Sequence, residues 1–467
     1  MSRCGMSNVQ KKRIYVDNLI EKGLNYLRWI YIENFLQDTA AVANKFFGKF
    51  VIRRFITLKA CNKLHYYKLF CQSTRISEEY WYADYILYRI KRMVLNMRIV
   101  GIKTYIVNVP PPCWGGSKWI FLKLMTDEGI EGVGECTYHG RLNHVYVELI
   151  KDLGERFVMG SNPFQIEKLW WRIYDGQGAR HSGPIITPVL SAFEIACWDI
   201  VGKALNQPIY NLLGGMFNDK LRAYSYLSGW GVGDSPEKTA DLALKYVEKG
   251  FTAVKFDPVG GPSHQLEVLN YAESVVKAIR EAVGDKCDIL IGTHGQFTTH
   301  SAIRFAKRME DYDPLWFEEP VPPENIKEMA RVAQSTSIPI ATGERLLTKF
   351  EFVELLEQRA ASILQMDLTI TGGILEAKKI ASMAEAYYVH IAPHMWGGPI
   401  GGAANIQLDV CSPNFLIQEG IETWEGFHAE ILKEPIKWEK GYIIPPTAPG
   451  LGVELNEEVL AKHAIIQ

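Results

Sequence analysis

Short hydrophobic runs alternate with helix-like stretches through the second half of the chain. Stretches such as KTADLALKYVEKG carry apolar residues at the 3.6-residue spacing of an amphipathic helix. The runs themselves are short and mostly apolar, as buried strands are: LRAYSYL, TAVKFDP, DILIGTHG, LWFEEP, IPIATGE, SILQMD, VHIAPH and FLIQE. Eight buried strands that alternate with helices predict a parallel β/α barrel over residues 221–430.

The pattern is different upstream of Leu221. WIFLKLMTDEGIEGVGEC predicts two strands around an Asp-Glu-Gly turn, and TPVLSAFEIACWDIVGKAL has helical apolar spacing. We therefore expect a small α+β domain over residues 97–220. After the barrel, residues 431–467 include IIPPTAPGLG, which predicts coil, and we expect this segment to return to the small domain.

Residues 1–96 differ from the rest in composition. They hold about 17 Lys and Arg against about 7 Asp and Glu, with many aromatic residues and little turn punctuation. One interpretation is a basic, aromatic arm that binds RNA or a membrane surface. We favour an extension outside the catalytic fold, such as the product of an early start codon. Met97 is followed at once by an alternating strand, MRIVGIKTYIV, and is a natural beginning for that fold.

Composition and charge exclude several classes of protein. The formal net charge of -2 argues against a nucleic-acid partner. There is no apolar run of about 18 residues, and the first residues lack the apolar core of a secretory signal. The eight cysteines form no CxxC pair and suit buried thiols of a reducing compartment. We expect a cytoplasmic protein that acts on a small molecule, without a membrane partner.

Ionisable residues close the predicted strands at their carboxyl ends. In a parallel barrel these ends meet at one edge, where the active site lies. So much charge in one cleft has a large desolvation cost, which a cation bound by carboxylates offsets, and Mg²⁺ suits oxygen ligands better than zinc does. For Glu319 and Arg345, a salt bridge within the barrel is an equally good interpretation. The set is Lys255, Asp257, His294, Glu318, Glu319, Glu344, Arg345, Asp367, His394 and Glu419.

These residue types suit the removal of a proton next to a carboxylate. A metal ion beside the substrate carboxylate stabilises the enediolate that remains. Asp367 and His394, on neighbouring strands, form a candidate dyad in which the aspartate orients the imidazole base. His294 is placed to act as the acid for a departing β-hydroxyl. Glu419, when protonated, donates a hydrogen bond to the substrate carboxylate.

Five strings, in this order and spacing, resemble the enolase superfamily, in its mandelate racemase/muconate lactonizing enzyme subgroup: FEEP, ATGER, LQMDLTITGG, APH and IQE. MAEAYYVHIAPHMWGGPIGGAANIQLD and PGLGVELNEE resemble the galactonate and gluconate dehydratases of that subgroup. The resemblance runs from Met97 to about Leu455. It implies an α/β fold, a modified TIM barrel of the (β/α)7β type with an N-terminal α+β capping domain, in a homo-oligomer.

The resemblance also implies a role for each matching residue. Glu318 and Glu344 match ligands of a Mg²⁺ cofactor, and Lys255 matches a lysine that holds the substrate carboxylate. The loops of the capping domain are expected to select the substrate through Trp114, His139 and Arg141. Asp367 matches the aspartate of the family's dyad, and His394 matches the general base of that dyad. His294 matches the acid that protonates the departing hydroxyl, and Glu419 matches the electrophilic glutamate.

The sequence departs from the family pattern at Gly292, two residues before His294. The family has an acidic metal ligand at that position, and glycine offers no side chain. Gln296 stands where arginine is common. Asp257, on the neighbouring strand, is our candidate for the missing carboxylate; otherwise water fills the position.

The predicted function is a Mg²⁺-dependent dehydratase that converts a six-carbon aldonate to its 2-keto-3-deoxy product through an enediolate. A racemase, epimerase or cycloisomerase of the same superfamily is an alternative, because those reactions begin with the same proton abstraction. Because Gly292 removes a ligand, a non-catalytic barrel that binds a sugar acid is a second alternative.

Overall fold

The computed structural model describes residues 94–136, 143–176, 183–227, 235–260 and 263–466. The prediction for residues 1–96 lies almost wholly outside these ranges, and so do the substrate candidates His139 and Arg141. Within the described residues, no helix is both long and apolar enough to cross a membrane. Five of the eight cysteines are described, and all five are free thiols.

The N-terminal part of the described chain forms an antiparallel sheet covered by helices. Its strands are β1 (Ile99–Asn108), β2 (Lys118–Thr126) and β3 (Glu131–Glu135), and the last strand of the chain, β14 (Ala464–Ile466), adds to β1, in the order β14-β1-β2-β3. The helices are Asn143–Leu153, Ile166–Gly176, Ile186–Leu205 and Ile209–Leu212, with a π-helix at Gly154–Val158. We call this part the capping domain.

The EGVG string allows the longest of these helices to lie directly on β3. A Cβ on Gly132 would come within 2.2 Å of the carbonyl oxygen of Ala196, and one on Gly134 within 2.0 Å of that of Ala192. Only glycine permits so close an approach between a strand and a helix backbone. The helix is almost entirely buried as a result, from Thr187 to Gly202.

The second part is a parallel β/α barrel. Its eight strands are β4 (Leu221–Tyr226), β5 (Ala253–Phe256), β6 (Asp288–Gly292), β7 (Trp316–Glu318), β8 (Ile340–Thr342), β9 (Ile363–Leu364), β10 (His390–Ile391) and β11 (Gln418–Gly420). The helices between and after them are Pro236–Glu248, Leu266–Val283, Thr299–Met309, Ile326–Ala333, Thr348–Glu357, Ile374–Ala386, Pro399–Val410 and Phe427–Glu430, with 3-10 turns at Gly284–Lys286 and Glu310–Tyr312. A hairpin of β12 (Lys437–Glu439) and β13 (Tyr442–Ile444) joins β4, and the helix Glu457–His463 precedes β14.

Strands β4 to β10 pair in sequence order, each parallel to the next. The final segment contacts both ends of this series: Phe415 bridges Ile391, and β11 pairs with β4. Each of the eight barrel segments also contributes one residue to a buried inner cluster: Tyr224, Ala253, Leu290, Trp316, Ala341, Ile363, Ala392 and Ile417. The predicted α/β barrel with an N-terminal capping domain is thus confirmed.

Two buried glutamates of the capping domain join it to the barrel. Glu135 accepts hydrogen bonds from the backbone N–H groups of Gly398 and Gly401, at the start of the helix Pro399–Val410. Glu194 accepts from Ile374 and Leu375 at the start of the preceding helix. Each carboxylate satisfies amides that have no partner within their own helix, so it fixes the position of a barrel helix.

Candidate active site

The strand ends predicted to be functional form a connected, buried polar cluster. Its centre is the pair formed by Asp367 after β9 and His394 after β10. Nδ1–H of His394 donates to Oδ2 of Asp367 at 2.8 Å, and Oδ1 of Asp367 accepts from the backbone N–H and the hydroxyl of Thr369. This hydrogen bond fixes the tautomer of the imidazole and leaves Nε2 for chemistry. The structure brings the two residues of the predicted dyad together.

Nε2 of His394 faces two further carboxylates. It lies 3.5 Å from Oε2 of Glu344 and 4.0 Å from Oε2 of Glu419. Burial by itself lowers the pKa of His394, but Glu344 and Asp367 outweigh burial and raise the pKa to about 10. The surrounding carboxylates therefore favour the protonated form of the imidazole.

Lys255 links two carboxylates that stand on opposite sides of β5. Its Nζ lies 2.6 Å from Oε1 of Glu318 and 3.0 Å from Oε1 of Glu419. The second oxygen of Glu419 accepts from the backbone N–H of Met395, directly after the dyad histidine. Burial lowers the pKa of Lys255, but Glu318 and Glu419 outweigh burial and hold the pKa well above its ordinary value. The lysine is therefore a charged ammonium inside the site.

The two predicted metal ligands have unequal surroundings. Glu318 uses both oxygens: Oε1 contacts Lys255, and Oε2 accepts from Trp316 Nε1 at 3.0 Å and Gln365 Nε2 at 2.8 Å. Oε2 of Glu344 is buried without a hydrogen-bond partner among the described residues. Burial raises the pKa of Glu344, but the positive charges of His394 and Lys255 outweigh burial and lower the pKa overall.

The turn that follows β6, in the string GTHG, has an unusual backbone conformation. His294 and Gly295 both have positive φ angles, 48° and 72°. The hydroxyl of Thr293 donates to the carbonyl oxygens of Glu318 and Glu319, and N–H of Gly295 donates to that of Glu319 at 2.7 Å. The turn is therefore held against the end of β7, and His294 occupies a left-handed conformation that needs such support.

Asp257 is directed to His294. Its Oδ2 lies 3.5 Å from Nδ1 of His294 and accepts from Gln296 Nε2 at 2.6 Å, while Oδ1 accepts from the backbone N–H of Val259. The Asp257 carboxylate raises the pKa of His294 despite burial, which favours the protonated form that an acid needs. The side chain of His294 remains 36% exposed.

The predicted metal set of Asp257, Glu318 and Glu344 is not assembled. No three His, Cys, Asp or Glu side chains form a group able to hold a metal ion in the part of the chain that the structure describes. Asp257 lies beside His294 instead. The proposed replacement of the ligand missing at Gly292 therefore has no support from the geometry.

The remaining candidates lie at the edge of this cluster. Glu319 and Arg345 form the barrel salt bridge that the sequence left open as an alternative. Burial raises the pKa of Glu319 to about 7, with Arg345 opposing that effect. Trp114 is partly buried on a capping-domain loop whose next residue, Gly115, lies against the loop after His394: a Cβ on Gly115 would be 2.1 Å from the carbonyl oxygen of Gly397.

Sequence reasoning missed two residues that orient the site. Gln365 holds Glu318, and Thr369 holds Asp367. A usable signal was present for Gln365, because it lies two residues before Asp367 at the end of β9 and so belongs to the same face. Thr369 follows Asp367 by two residues, the spacing at which an aspartate commonly accepts a backbone hydrogen bond.

Fold and site together define a barrel with a buried histidine-aspartate pair at its strand ends and a capping domain. Residues 107–214 match the N-terminal domain of the mandelate racemase/muconate lactonizing enzyme family, and residues 238–459 match the enolase C-terminal domain-like family. The chain belongs to the enolase superfamily, in its mandelate racemase/muconate lactonizing enzyme group, as the strings of its strand ends predicted.

Relatives of known name and solved structure support this assignment. The chain is 39% identical to a D-galactonate dehydratase of Cronobacter sakazakii over 372 residues, which is 78% of this chain and 93% of the relative. It is 38% identical to that of Pectobacterium atrosepticum, over 79% and 94% of the two chains. A solved mandelate racemase/muconate lactonizing enzyme from Burkholderia SAR-1 is 52% identical, with a TM-score of 0.76 over 78% of this chain and 94% of that one.

Proposed function

We propose that the chain is a sugar-acid hydro-lyase, which removes water from an aldonate to give a 2-keto-3-deoxy acid. This proposal rests on two histidines, His394 and His294, that differ in burial and in the carboxylate beside them. His394 is buried and oriented by Asp367, as a base should be, while His294 is partly exposed and faces Asp257, as an acid should be. The resemblance to the D-galactonate dehydratases supports a six-carbon aldonate as the substrate class.

In the proposed reaction, Nε2 of neutral His394 takes the proton from the carbon next to the substrate carboxylate. Asp367 holds the Nδ1 proton and stabilises the imidazolium that forms. The ammonium of Lys255 balances the negative charge that develops on the enediolate. The electron pair then expels the β-hydroxyl, His294 gives that group its proton, and water leaves. The enol product tautomerises to the 2-keto acid.

Magnesium is the cofactor that the family resemblance predicts, and enzymes of this superfamily usually bind it. A site of three carboxylates needs a third ligand beside Glu318 and Glu344. Gly292 cannot supply one, Asp257 is engaged with His294 and Gln296, and both oxygens of Glu318 have partners. The residues present do not fit a metal site of three carboxylates. The proposed reaction therefore uses only side chains of this protein.

The test is a screen of aldonates in D₂O, followed by NMR and by a chemical assay for 2-keto acids. The expected result is a 2-keto-3-deoxy acid from one or a few six-carbon aldonates. Deuterium exchange or inversion next to the carboxylate, without loss of water, identifies a racemase or epimerase instead. Binding of a sugar acid with neither reaction identifies the non-catalytic alternative. The expected cytoplasmic location and homo-oligomeric state stay predictions.

A further inference from the structure

The position beside Glu318 that the family gives to an acidic metal ligand is filled here by a lysine side chain. We infer that the Lys255 ammonium is the permanent cation of this site and that the chain does not need a divalent metal for catalysis. This inference rests on the proposed function, because it names the group that stabilises the enediolate in that reaction.

The first observation is steric. Gly292 on β6 is paired with Glu318 on β7, so a side chain on Gly292 would stand beside that carboxylate. A Cβ on Gly292 would lie 2.9 Å from Cε of Lys255, 3.7 Å from its Cγ and 3.8 Å from Cδ of Glu318. The Lys255 side chain thus runs through the space that a side chain at position 292 would enter, and an acidic ligand there would have to displace the end of the lysine.

The second observation concerns charge. Lys255 is 1% exposed and forms ion pairs with Glu318 and Glu419 at 2.6 and 3.0 Å. A divalent ion on Glu318 would stand a few ångströms from this ammonium, and two positive charges at that distance repel strongly in a buried site. The lysine offsets the same carboxylates that a metal would offset, so in this arrangement a metal on Glu318 has to compete with the ammonium.

The third observation concerns the N–H donors of the Lys255 ammonium. An ammonium has three N–H donors. Glu318 and Glu419 take two of them, and no third acceptor is recorded for Lys255 in the described part of the chain. The third donor is available for a substrate oxygen. Charge and a hydrogen bond aimed at a developing oxyanion are the two contributions that this site needs from a cation.

The experiment begins with the unmodified full chain, treated with a chelator and passed through a metal-free column. We expect turnover of the aldonate to remain and calorimetry to show no stoichiometric Mg²⁺ binding. Lys255→Met should lower turnover on the order of 10²-fold or more, without recovery in added Mg²⁺. Lys307→Met removes an exposed lysine paired with Glu310 and serves as the matched control, with unchanged turnover expected.

The complementary experiment uses a variant that is expected to gain Mg²⁺ binding. In Gly292→Asp combined with Lys255→Ala, the obstructing stem is gone and a third carboxylate joins Glu318 and Glu344. This double variant should bind Mg²⁺ in calorimetry, and its thermal midpoint should rise with added Mg²⁺. Gly292→Asp alone should lose turnover, because the new side chain displaces the end of Lys255 from its ion pair with Glu318.

The inference is overturned if the unmodified chain binds one Mg²⁺ and loses turnover on chelation, with recovery on adding the ion. Failure of the proposed function has a different signature, since no sugar acid is then converted under any condition. The calorimetric comparison still decides in that case. Stoichiometric Mg²⁺ binding by the unmodified chain contradicts the inference, and binding gained only by the double variant supports it.

Discussion

At the residue scale, the two histidines can be separated by their effects on two steps of one reaction. His394→Asn removes the base and should lower both proton exchange and dehydration, on the order of 10²- to 10⁴-fold. His294→Asn removes only the acid for the departing hydroxyl, so dehydration should stop while exchange of the α-proton with solvent continues. NMR in D₂O measures both. Normal dehydration by the His294 variant would show that another group is the acid.

Asp257 should act through His294 and not through a metal. Asp257→Asn keeps the size of the side chain but removes the negative charge 3.5 Å from Nδ1 of His294. Without that charge His294 holds its proton less well, so dehydration should fall while α-proton exchange is spared. The same D₂O experiment gives the ratio of the two rates. A parallel loss of both, together with weaker Mg²⁺ binding, would return Asp257 to the role of metal ligand.

At the scale of elements, the helix caps contributed by the capping domain should matter for both stability and turnover. Glu135→Ala leaves the N–H groups of Gly398 and Gly401 without their acceptor in a buried place. We expect a loss of about 1–3 kcal/mol in the free energy of unfolding, and lower turnover because Gly398 follows His394 closely. Urea unfolding and steady-state kinetics measure the two effects. Glu194→Ala, which uncaps the preceding helix, is the comparison variant and should lose similar stability.

The strand pattern and the strand ends could be predicted because they depend on local sequence. Apolar runs marked the barrel strands, and ionisable residues after them marked Asp367, His394, Glu344 and Glu419 correctly as neighbours. The direction of Asp257 could not be predicted in that way. Its carboxylate lies beside His294, which stands in a turn with two positive φ angles, and the positions of the strand ends along the sequence do not reveal that turn.

The conformation of the Lys255 side chain could not be predicted from the sequence either. The sequence shows glycine at 292 where the family pattern has an acidic residue, but it does not show that the Lys255 side chain from the adjacent strand runs beside that position. This proximity depends on the register between β5, β6 and β7 and on side-chain rotamers. Periodicity predicts which face a residue is on, whereas register decides which neighbour it meets.

At the scale of the whole molecule, one buried histidine should make the fold sensitive to acid. His428 lies between Trp119 and Trp424, and its Nε2–H donates to the carbonyl oxygen of Gly397. Burial lowers the pKa of His428 to about 4, against 6.5 when exposed. The unfolded chain therefore takes up this proton first, and stability should fall as the pH decreases from about 6.5 to 4, by up to about 3 kcal/mol. Urea unfolding at a series of pH values measures this, and His428→Gln should flatten the profile over that window.

The N-terminal extension can be tested by expressing the chain from Met97. Asn162 Nδ2 donates to the carbonyl oxygen of Val94, so this truncation removes one hydrogen bond that the structure describes. We expect a loss of only about 1 kcal/mol in stability and no change in turnover. Thermal unfolding and the dehydration assay provide the comparison with the full chain. A large loss of either would show that residues 1–96 belong to the working enzyme.

The sheet of the capping domain is completed by the last residues of the chain. β14 pairs with β1 through partners such as Tyr105 and Ile466, which are roughly 360 positions apart. During synthesis on the ribosome, β1 is made early and its outer edge waits unpaired until the final strand emerges. The antiparallel sheet therefore reaches its full width only once Ile466 has been made, and until then the edge of β1 that β14 covers is open to pairing with another chain.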